Sequence, residues 1–222
     1  MRHDARLDGS RLVVATSNAG KLRELSEFLP PSTELVSLTD LGLPSPEETG
    51  RSFLDNAILK AEHASTLTGI ASLADDSGLE VEALDGQPGI HSARYAGPGA
   101  SDEENNRMLV DALRSKGGRP WKARFVCAVA LCGPHESPLT AVGKLDGKIV
   151  DEPRGKNGFG YDPHFRIDDP QAGELNGMTL AELETEQKNR LSHRRRAYDA
   201  LVQTARERAN RSPAARLIVD VD

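Results

Sequence analysis

"SLADDSGLEVEALDG" (72–86) decides how the middle of this chain is read. An apolar run enters it, Asp75 and Asp76 sit side by side before Ser77-Gly78, and Leu79, Val81 and Ala83 then alternate with Glu80 and Glu82. Adjacent carboxylates repel, so the pair costs free energy unless a cation or a turn uses it. Asp, Ser and Gly are turn residues, and one reading is a solvated turn joining a strand that ends at Asp75 to a second strand, "LEVEAL" (79–84). The other is a metal-binding or catalytic pair at a strand end. The stretch alone leaves both open.

Working outward, the surrounding segments alternate between strand and helix patterns. "RLVVAT" (11–16) reads as a buried strand, and "KLRELSEFL" (21–29) as a helix with Leu22, Leu25 and Leu29 in register, stopped by Pro30-Pro31. The loop "SNAG" (17–20) lies between them. In "ETGRSFLDNAILKAEHAS" (48–65), Phe53, Ala57, Ile58 and Ala61 have helical spacing, and Asn56 and Lys60, at i and i+4, share one face. "DEENNRMLVDALRS" (102–115) predicts another helix, and the nearly continuous apolar "RFVCAVALC" (124–132) a central strand covered on both faces. "LTAVGKLDGKIV" (139–150) predicts two strands around an Asp146-Gly147 turn. "NGFGYDPHF" (157–165) is a loop running into a strand, Thr179 and Glu182 form a capping box, and Ser192 caps a last helix, "HRRRAYDALVQTARERA" (193–209). Helices mixed with strands, some joined by tight turns, predict an α/β chain with a mixed sheet. The segments 1–10 and 210–222 are expected to be loosely ordered.

Composition excludes several classes. The 222 residues are enough for one domain or two small lobes with a real core. The net charge of −6 opposes wrapping of a nucleic acid polymer. No apolar run reaches the roughly 20 residues of a membrane span, and "MRHDARLDGS" lacks the apolar region of a secretory signal. Cys127 and Cys132 read as buried thiols rather than a disulfide or zinc framework. Together these point to the cytoplasm.

Four stretches could carry chemistry. "TSNAGK" (Thr16, Ser17, Asn18, Ala19, Gly20, Lys21) places a Gly-containing loop at a helix start, where backbone N–H groups meet an anion, although a Walker A pattern is absent. An ordinary helix start is the plain alternative. Glu47 and Glu48 with Asp75 and Asp76 could hold Mg²⁺, which takes one or two carboxylates plus phosphate oxygens and water; a solvated acidic face is the alternative. "KNRLSHRRR" (188–196) is a helix face, a nucleic-acid patch or a clamp on a small polyanion. In "FGYD" (Phe159, Gly160, Tyr161, Asp162), Phe159 or Tyr161 offers a flat face for a base, or merely fills a core. Taken together they form the inventory of a Mg²⁺-dependent nucleoside triphosphate site.

"TSNAGK", "EETG" (47–50), "NAILKA" (56–61), "ADDSGLEVEAL" followed by "GQPGIHSARYAG", "NGFGYDP", "MTLAEL" (178–183) and "KNRLSHR" (188–194) resemble, in order, the motifs of the non-canonical purine NTP pyrophosphatases, also called inosine triphosphate pyrophosphatases or XTP/dITP diphosphatases. The resemblance spans about Leu12 to Ala209. It implies an elongated mixed sheet flanked by helices, one domain (11–209) of two lobes with a central substrate cleft, and a homodimer. It implies hydrolysis of ITP, dITP and XTP to the monophosphate and pyrophosphate, clearing deaminated purines from the nucleotide pool. Carried over by motif, Asp76 is the catalytic base and, with Glu48, a Mg²⁺ carboxylate. Thr16 to Lys21 and Lys60 meet the triphosphate, and Ser77, Phe159 to Asp162, Lys188, His193 and Arg194 contact substrate. Arg195 stands where the family often has Gly, "RIDDPQAGELNG" (166–177) is long, and the tail from Ser212 is extra. A Maf-type pyrophosphatase is a near rival that "SHR" and "FGYD" argue against. An RNA-binding module built on Lys188 to Arg196 and a nucleotide sensor without turnover are the readings from other classes.

Overall fold

The computed structural model describes residues 11–16 and 19–219. β1 (Arg11–Val14) leads into α1 (Ala19–Phe28), which returns the chain to β2 (Glu34–Ser37), and β2 pairs parallel with β1 over Arg11↔Glu34 to Val14↔Ser37. A parallel pair needs a crossover, and α1 supplies it. α2 (Phe53–Thr68) starts at Ser52, whose hydroxyl accepts from Asp55 N, and stops at Gly69 in the left-handed conformation. It delivers the chain to β3 (Ser72–Val81), parallel to β1 through Val13↔Ser72 and Val14↔Leu73. α3 (Asp102–Lys116) opens with a complete Ser101/Glu104 capping box. β4 (Trp121–Cys132), β5 (Leu139–Ile149) and β6 (Phe165–Ile167) follow, then α4 (Thr185–Leu191), α5 (His193–Arg208) and α6 (Pro213–Arg216). The strand order is β2-β1-β3-β4-β5-β6, with β5 and β6 antiparallel, so the six-stranded sheet is mixed as expected. No helix among the described residues is long and apolar enough to cross a membrane.

The chain forms two compact units, one from residues up to Asp76 with 128–142 and 197 onward, the other from 77–127 with 143–196. In the first, Leu12, Val13, Val14, Leu25, Ala57, Ala61, Leu73 and Val129 are buried; the small residues of α2 let it lie close to its neighbours. In the second, Leu79, Val81, Leu109, Leu113, Phe125, Leu145 and Phe165 form one cluster, with Phe125 and Phe165 in ring contact at 4.6 Å. Burial along β4 alternates from Trp121 to Phe125 and is then continuous to Cys132. Cys127 and Cys132 are free, buried thiols.

Two predicted turns are absent. β3 runs unbroken from Ser72 to Val81 through Asp75, Asp76, Ser77 and Gly78, so no strand ends at Asp75; the chain leaves extended structure only at Glu82–Leu84, a single helical turn. β5 likewise passes straight through Asp146-Gly147. The glycine serves close approach rather than a turn: Gly147 pairs with Ile167 of β6, and a Cβ there would lie 2.4 Å from Phe165 Cζ and 2.6 Å from Arg166 O. Gly147→Ala is therefore expected to cost about 1–3 kcal/mol by overpacking, read as a fall in Tm. An unchanged Tm would contradict the close approach of β6 at Gly147.

Residues 1–10 and 220–222 lie outside the described residues. Within the tail, Ser212 hydrogen-bonds Glu136, Thr33 Oγ1 donates to Leu217 O at 2.7 Å, and Ala214, Ala215 and Ile218 are buried.

Candidate active site

The first constellation belongs to the unit that contains α2 and the start of β3. Asn56 and Lys60 lie one turn apart on the buried face of α2. Lys60 Nζ donates to Glu48 Oε1 at 3.0 Å and to Asp76 Oδ1 at 3.1 Å, and Asn56 Nδ2 donates to Asp76 Oδ2 at 3.0 Å. Successive residues of a strand face opposite ways, and the neighbouring Asp75 has its own cation, Lys21 Nζ at 2.9 Å. Each of the two adjacent carboxylates thus meets a different lysine, which is how an unbroken strand tolerates them. Glu47 is exposed, so the four-carboxylate reading narrows to Glu48 and Asp76 around Lys60.

Electrostatics follow from burial. Asp76 is 7% exposed, and desolvation lifts its carboxyl above the ordinary aspartate value, with Lys60 and Asn56 opposing only in part. Burial pushes the Lys60 ammonium down, but the combined fields of Asp76, Asp75 and Glu48 outweigh it and the net direction is up. A buried carboxylate of raised basicity is able to accept a proton near neutrality, the chemistry that general-base catalysis draws on.

Of the expected anion loop, Ser17 and Asn18 lie outside the described residues. Thr16 follows β1, while Ala19 and Gly20 already belong to α1 and Lys21 stands in its first turn. Backbone N–H groups of that first turn have no partner within their own helix.

The second constellation lies in the other unit. Phe159 is 42% exposed, and the Lys188 ammonium sits 4.3 Å from its ring centroid. Asp162 Oδ2 accepts from both Lys188 Nζ, at 2.6 Å, and Phe159 N, at 2.9 Å. Gly158, at φ +80°, is required here, because a Cβ would fall 2.0 Å from that oxygen. Gly160 is held from α3 on both sides: its N–H donates to Asp102 Oδ2 at 2.6 Å and its carbonyl accepts from Asn106 Nδ2 at 2.8 Å. Tyr161 is buried, donates to Ser92 O at 2.8 Å and has its phenol pushed well up by desolvation. Of the two aromatic candidates, Phe159 is therefore the accessible face and Tyr161 an anchor.

The cationic run divides by role. Arg194 is 2% exposed and reaches Ser77 Oγ at 3.3 Å. His193 stacks on Phe125 at 4.9 Å and 12°. Ser192 Oγ accepts from Arg195 N at 3.0 Å, the expected cap. Arg196 is a staple, donating to Lys144 O and Asp169 Oδ2. The run is thus not a uniform solvated face or nucleic-acid patch. Sequence reasoning missed Asn56, Asp102 and Asn106 as site residues. The signals were present: Asn56 is i−4 to Lys60, and Asn105-Asn106 is a pair of weak helix formers inside a helix.

Among the described residues no group of three or more His, Cys, Asp or Glu could hold a metal ion. Glu48 and Asp76 instead offer two hard oxygen donors, the set that Mg²⁺ uses when phosphate oxygens and water complete its shell.

Carboxylates poised over a lysine, a lysine at a helix start and an aromatic–lysine platform define an α/β protein equipped for a nucleotide polyphosphate. The profile of the Ham1 family matches residues 12–204. A dITP/XTP pyrophosphatase of Geobacter sulfurreducens is 50% identical over 195 residues, covering 86% of this chain and 94% of its own. One from Thermus thermophilus is 45% identical over 202 residues, covering 90% and 94%. Among solved structures, a HAM1 protein from Coxiella burnetii superposes with a TM-score of 0.80 at 40% identity, covering 89% of this chain and 98% of that one. The Ham1 protein of Staphylococcus aureus gives 0.77 at 40% identity, with the same coverage. The chain belongs to the Ham1 family.

Proposed function

We propose that this chain is a nucleoside triphosphate pyrophosphohydrolase that cleaves dITP, ITP and XTP to the monophosphate and pyrophosphate. The observation that carries the reading is the buried Asp76 carboxylate gripped by Lys60 and Asn56, in a chain whose relatives are named dITP/XTP pyrophosphatases. Asp76 takes a proton from the attacking water as its oxygen bonds to phosphorus. The bond between the monophosphate and the departing pyrophosphate breaks, and the electron pair leaves with pyrophosphate. Lys21 and Lys60, with Thr16 to Gly20, hold the triphosphate and offset charge that builds on it. Glu48 and Asp76 would hold a divalent cation, Mg²⁺ by donor chemistry, which when bound neutralises phosphate charge.

For the base, Phe159 gives a stacking face, and Ser77, His193, Arg194 and Lys188 supply polar groups. Donors directed at a 6-keto oxygen face another donor when the 6-amino group of adenine arrives, which is the physical form of discrimination against ATP. Phe159→Ala removes a stacking contact of about 1–3 kcal/mol, so kcat/KM for ITP is expected to fall about 5–150-fold, chiefly through KM. The family resemblance also predicts a homodimer, which light scattering checks.

Pyrophosphate release from ITP, XTP, ATP, GTP and dTTP, each with and without Mg²⁺, tests the reading. Mg²⁺-dependent release from ITP and XTP with little from ATP is expected. Preference for dTTP would move the chain to a Maf-type activity, and equal turnover of ATP and ITP would refute the base discrimination.

A further inference from the structure

Asn56 carries no charge and supplies no group to the anion loop or the base platform, yet it is fully buried against the Asp76 carboxylate. Both ends of its amide are used. Its Oδ1 accepts from the Gly50 N–H at 2.8 Å, and its Nδ2 donates to Asp76 Oδ2 at 3.0 Å. The orientation is chemically forced: a backbone N–H only donates, so the oxygen faces Gly50 and the nitrogen faces the carboxylate. Gly50 approaches so closely that a Cβ there would lie 2.5 Å from Asn56 Oδ1 and 2.8 Å from Asn56 N. The segment 48–50 thus also brings in Glu48, which shares Lys60 with Asp76.

The torsion that turns an aspartate carboxyl about its own axis is broad and soft. Lys60, a flexible chain on Oδ1, restrains one oxygen; the short Asn56 amide on Oδ2 restrains the other. A carboxylate held at both oxygens has a fixed plane, and the direction of its remaining lone pairs is fixed with it. General-base catalysis depends on that direction. We infer that Asn56, seated by Gly50, is a positioning residue that sets the orientation of Asp76 for the hydrolysis proposed above, on which this inference rests.

The test uses the whole purified chain with ITP and Mg²⁺. Asn56→Ala removes both contacts, whereas Asn56→Asp keeps the acceptor for Gly50 and replaces the donor to Asp76 with a carboxyl oxygen that repels it. Both are expected to lower kcat about 10–100-fold, the scale of an ångström-level misplacement, with KM for ITP changed less than about 3-fold. In an Asp76→Asn background, Asn56→Ala is expected to lower kcat no further, because its route of action is gone. A crystal structure of Asn56→Asp is expected to show the Asp76 carboxyl turned from its present plane. Wild-type kcat in folded Asn56→Asp, an equal loss in both backgrounds, or an unmoved Asp76 carboxyl overturns the inference. Should Asn56→Ala fail to fold, Asn56→Asp and the crystal structure carry the decision. Wild-type turnover by Asp76→Asn is a different failure: it removes Asp76 as the base, whatever Asn56 does.

Discussion

Replacing Asp76 by Asn is expected to lower kcat for ITP about 10²–10⁴-fold, the range a positioned general base supplies, and to shift stability in the variant's favour as pH rises. The two halves of that expectation have one cause. Burial holds the Asp76 carboxyl above its ordinary value even against Lys60 and Asn56. A folded-state pKa above the unfolded one means that the folded chain binds this proton more tightly. The stability gained is complete at pH below the unfolded value of about 3.9 and is lost as pH rises through the raised folded value. At pH 8, in the presence of a chelator, ionised Asp76 is therefore a net cost. Asn, neutral at every pH, removes that charge but turns its N–H₂ group toward the Lys60 ammonium or Asn56 Nδ2, a loss that does not depend on pH. The variant's Tm relative to the parent should therefore be higher at pH 8 than at pH 4. Turnover within tenfold of the parent would end the base assignment, and a Tm difference that does not shift toward the variant between pH 4 and pH 8 would contradict the electrostatics.

Replacing Lys60 by Met acts in the opposite sense. Its ammonium is buried, 8% exposed, and its pKa is raised because the fields of Asp76, Asp75 and Glu48 outweigh desolvation. Such a group stabilises the fold fully below the unfolded lysine value of about 10.4 and loses that effect only as pH rises through the folded value. Around neutrality the whole contribution is present. Methionine keeps much of the volume but leaves Asp76 and Glu48 without their shared cation. Removing one partner of a buried ion pair costs about 3–5 kcal/mol, which for a chain of this size lowers Tm by about 6–20 °C. Turnover should fall as well, since Lys60 anchors one oxygen of Asp76. Millimolar Mg²⁺ should restore more stability to the variant than it adds to the parent, because a divalent cation held by Glu48 and Asp76 would replace the missing charge. Equal Mg²⁺ shifts in both proteins would argue against metal binding at this pair.

The second prediction concerns a residue whose face could be read before any fold was known. Helical spacing alone placed Asn56 and Lys60 together, and both end on Asp76. The Ser192 cap and the Thr179/Glu182 box needed only neighbours within one turn, and both form. Local chemistry was misleading where the same residues serve two geometries. Asp-Asp-Ser-Gly and Asp-Gly suit a turn, yet both stretches lie in unbroken strands. The flat ring of "FGYD" could not be assigned from sequence either. Ser92, 69 positions from Tyr161, takes up the tyrosine hydroxyl and leaves Phe159 as the open face.

The sequence by itself thus determined what depends on near neighbours and on motif content. That covers the alternation of helices and strands, the mixed sheet, the buried thiols, the shared face of Asn56 and Lys60, and the family to which the motifs belong. The tertiary structure alone decided which carboxylate meets which lysine, that β3 and β5 continue through their turn-like residues, and that Gly50 seats the Asn56 amide. The physical reason is range. Propensity and capping act over about four residues, whereas neutralising a buried charge or crowding a glycine requires a partner brought in from elsewhere in the chain. Lys21 reaches Asp75, Lys60 reaches Asp76 and Phe165 covers Gly147 only once the chain has folded.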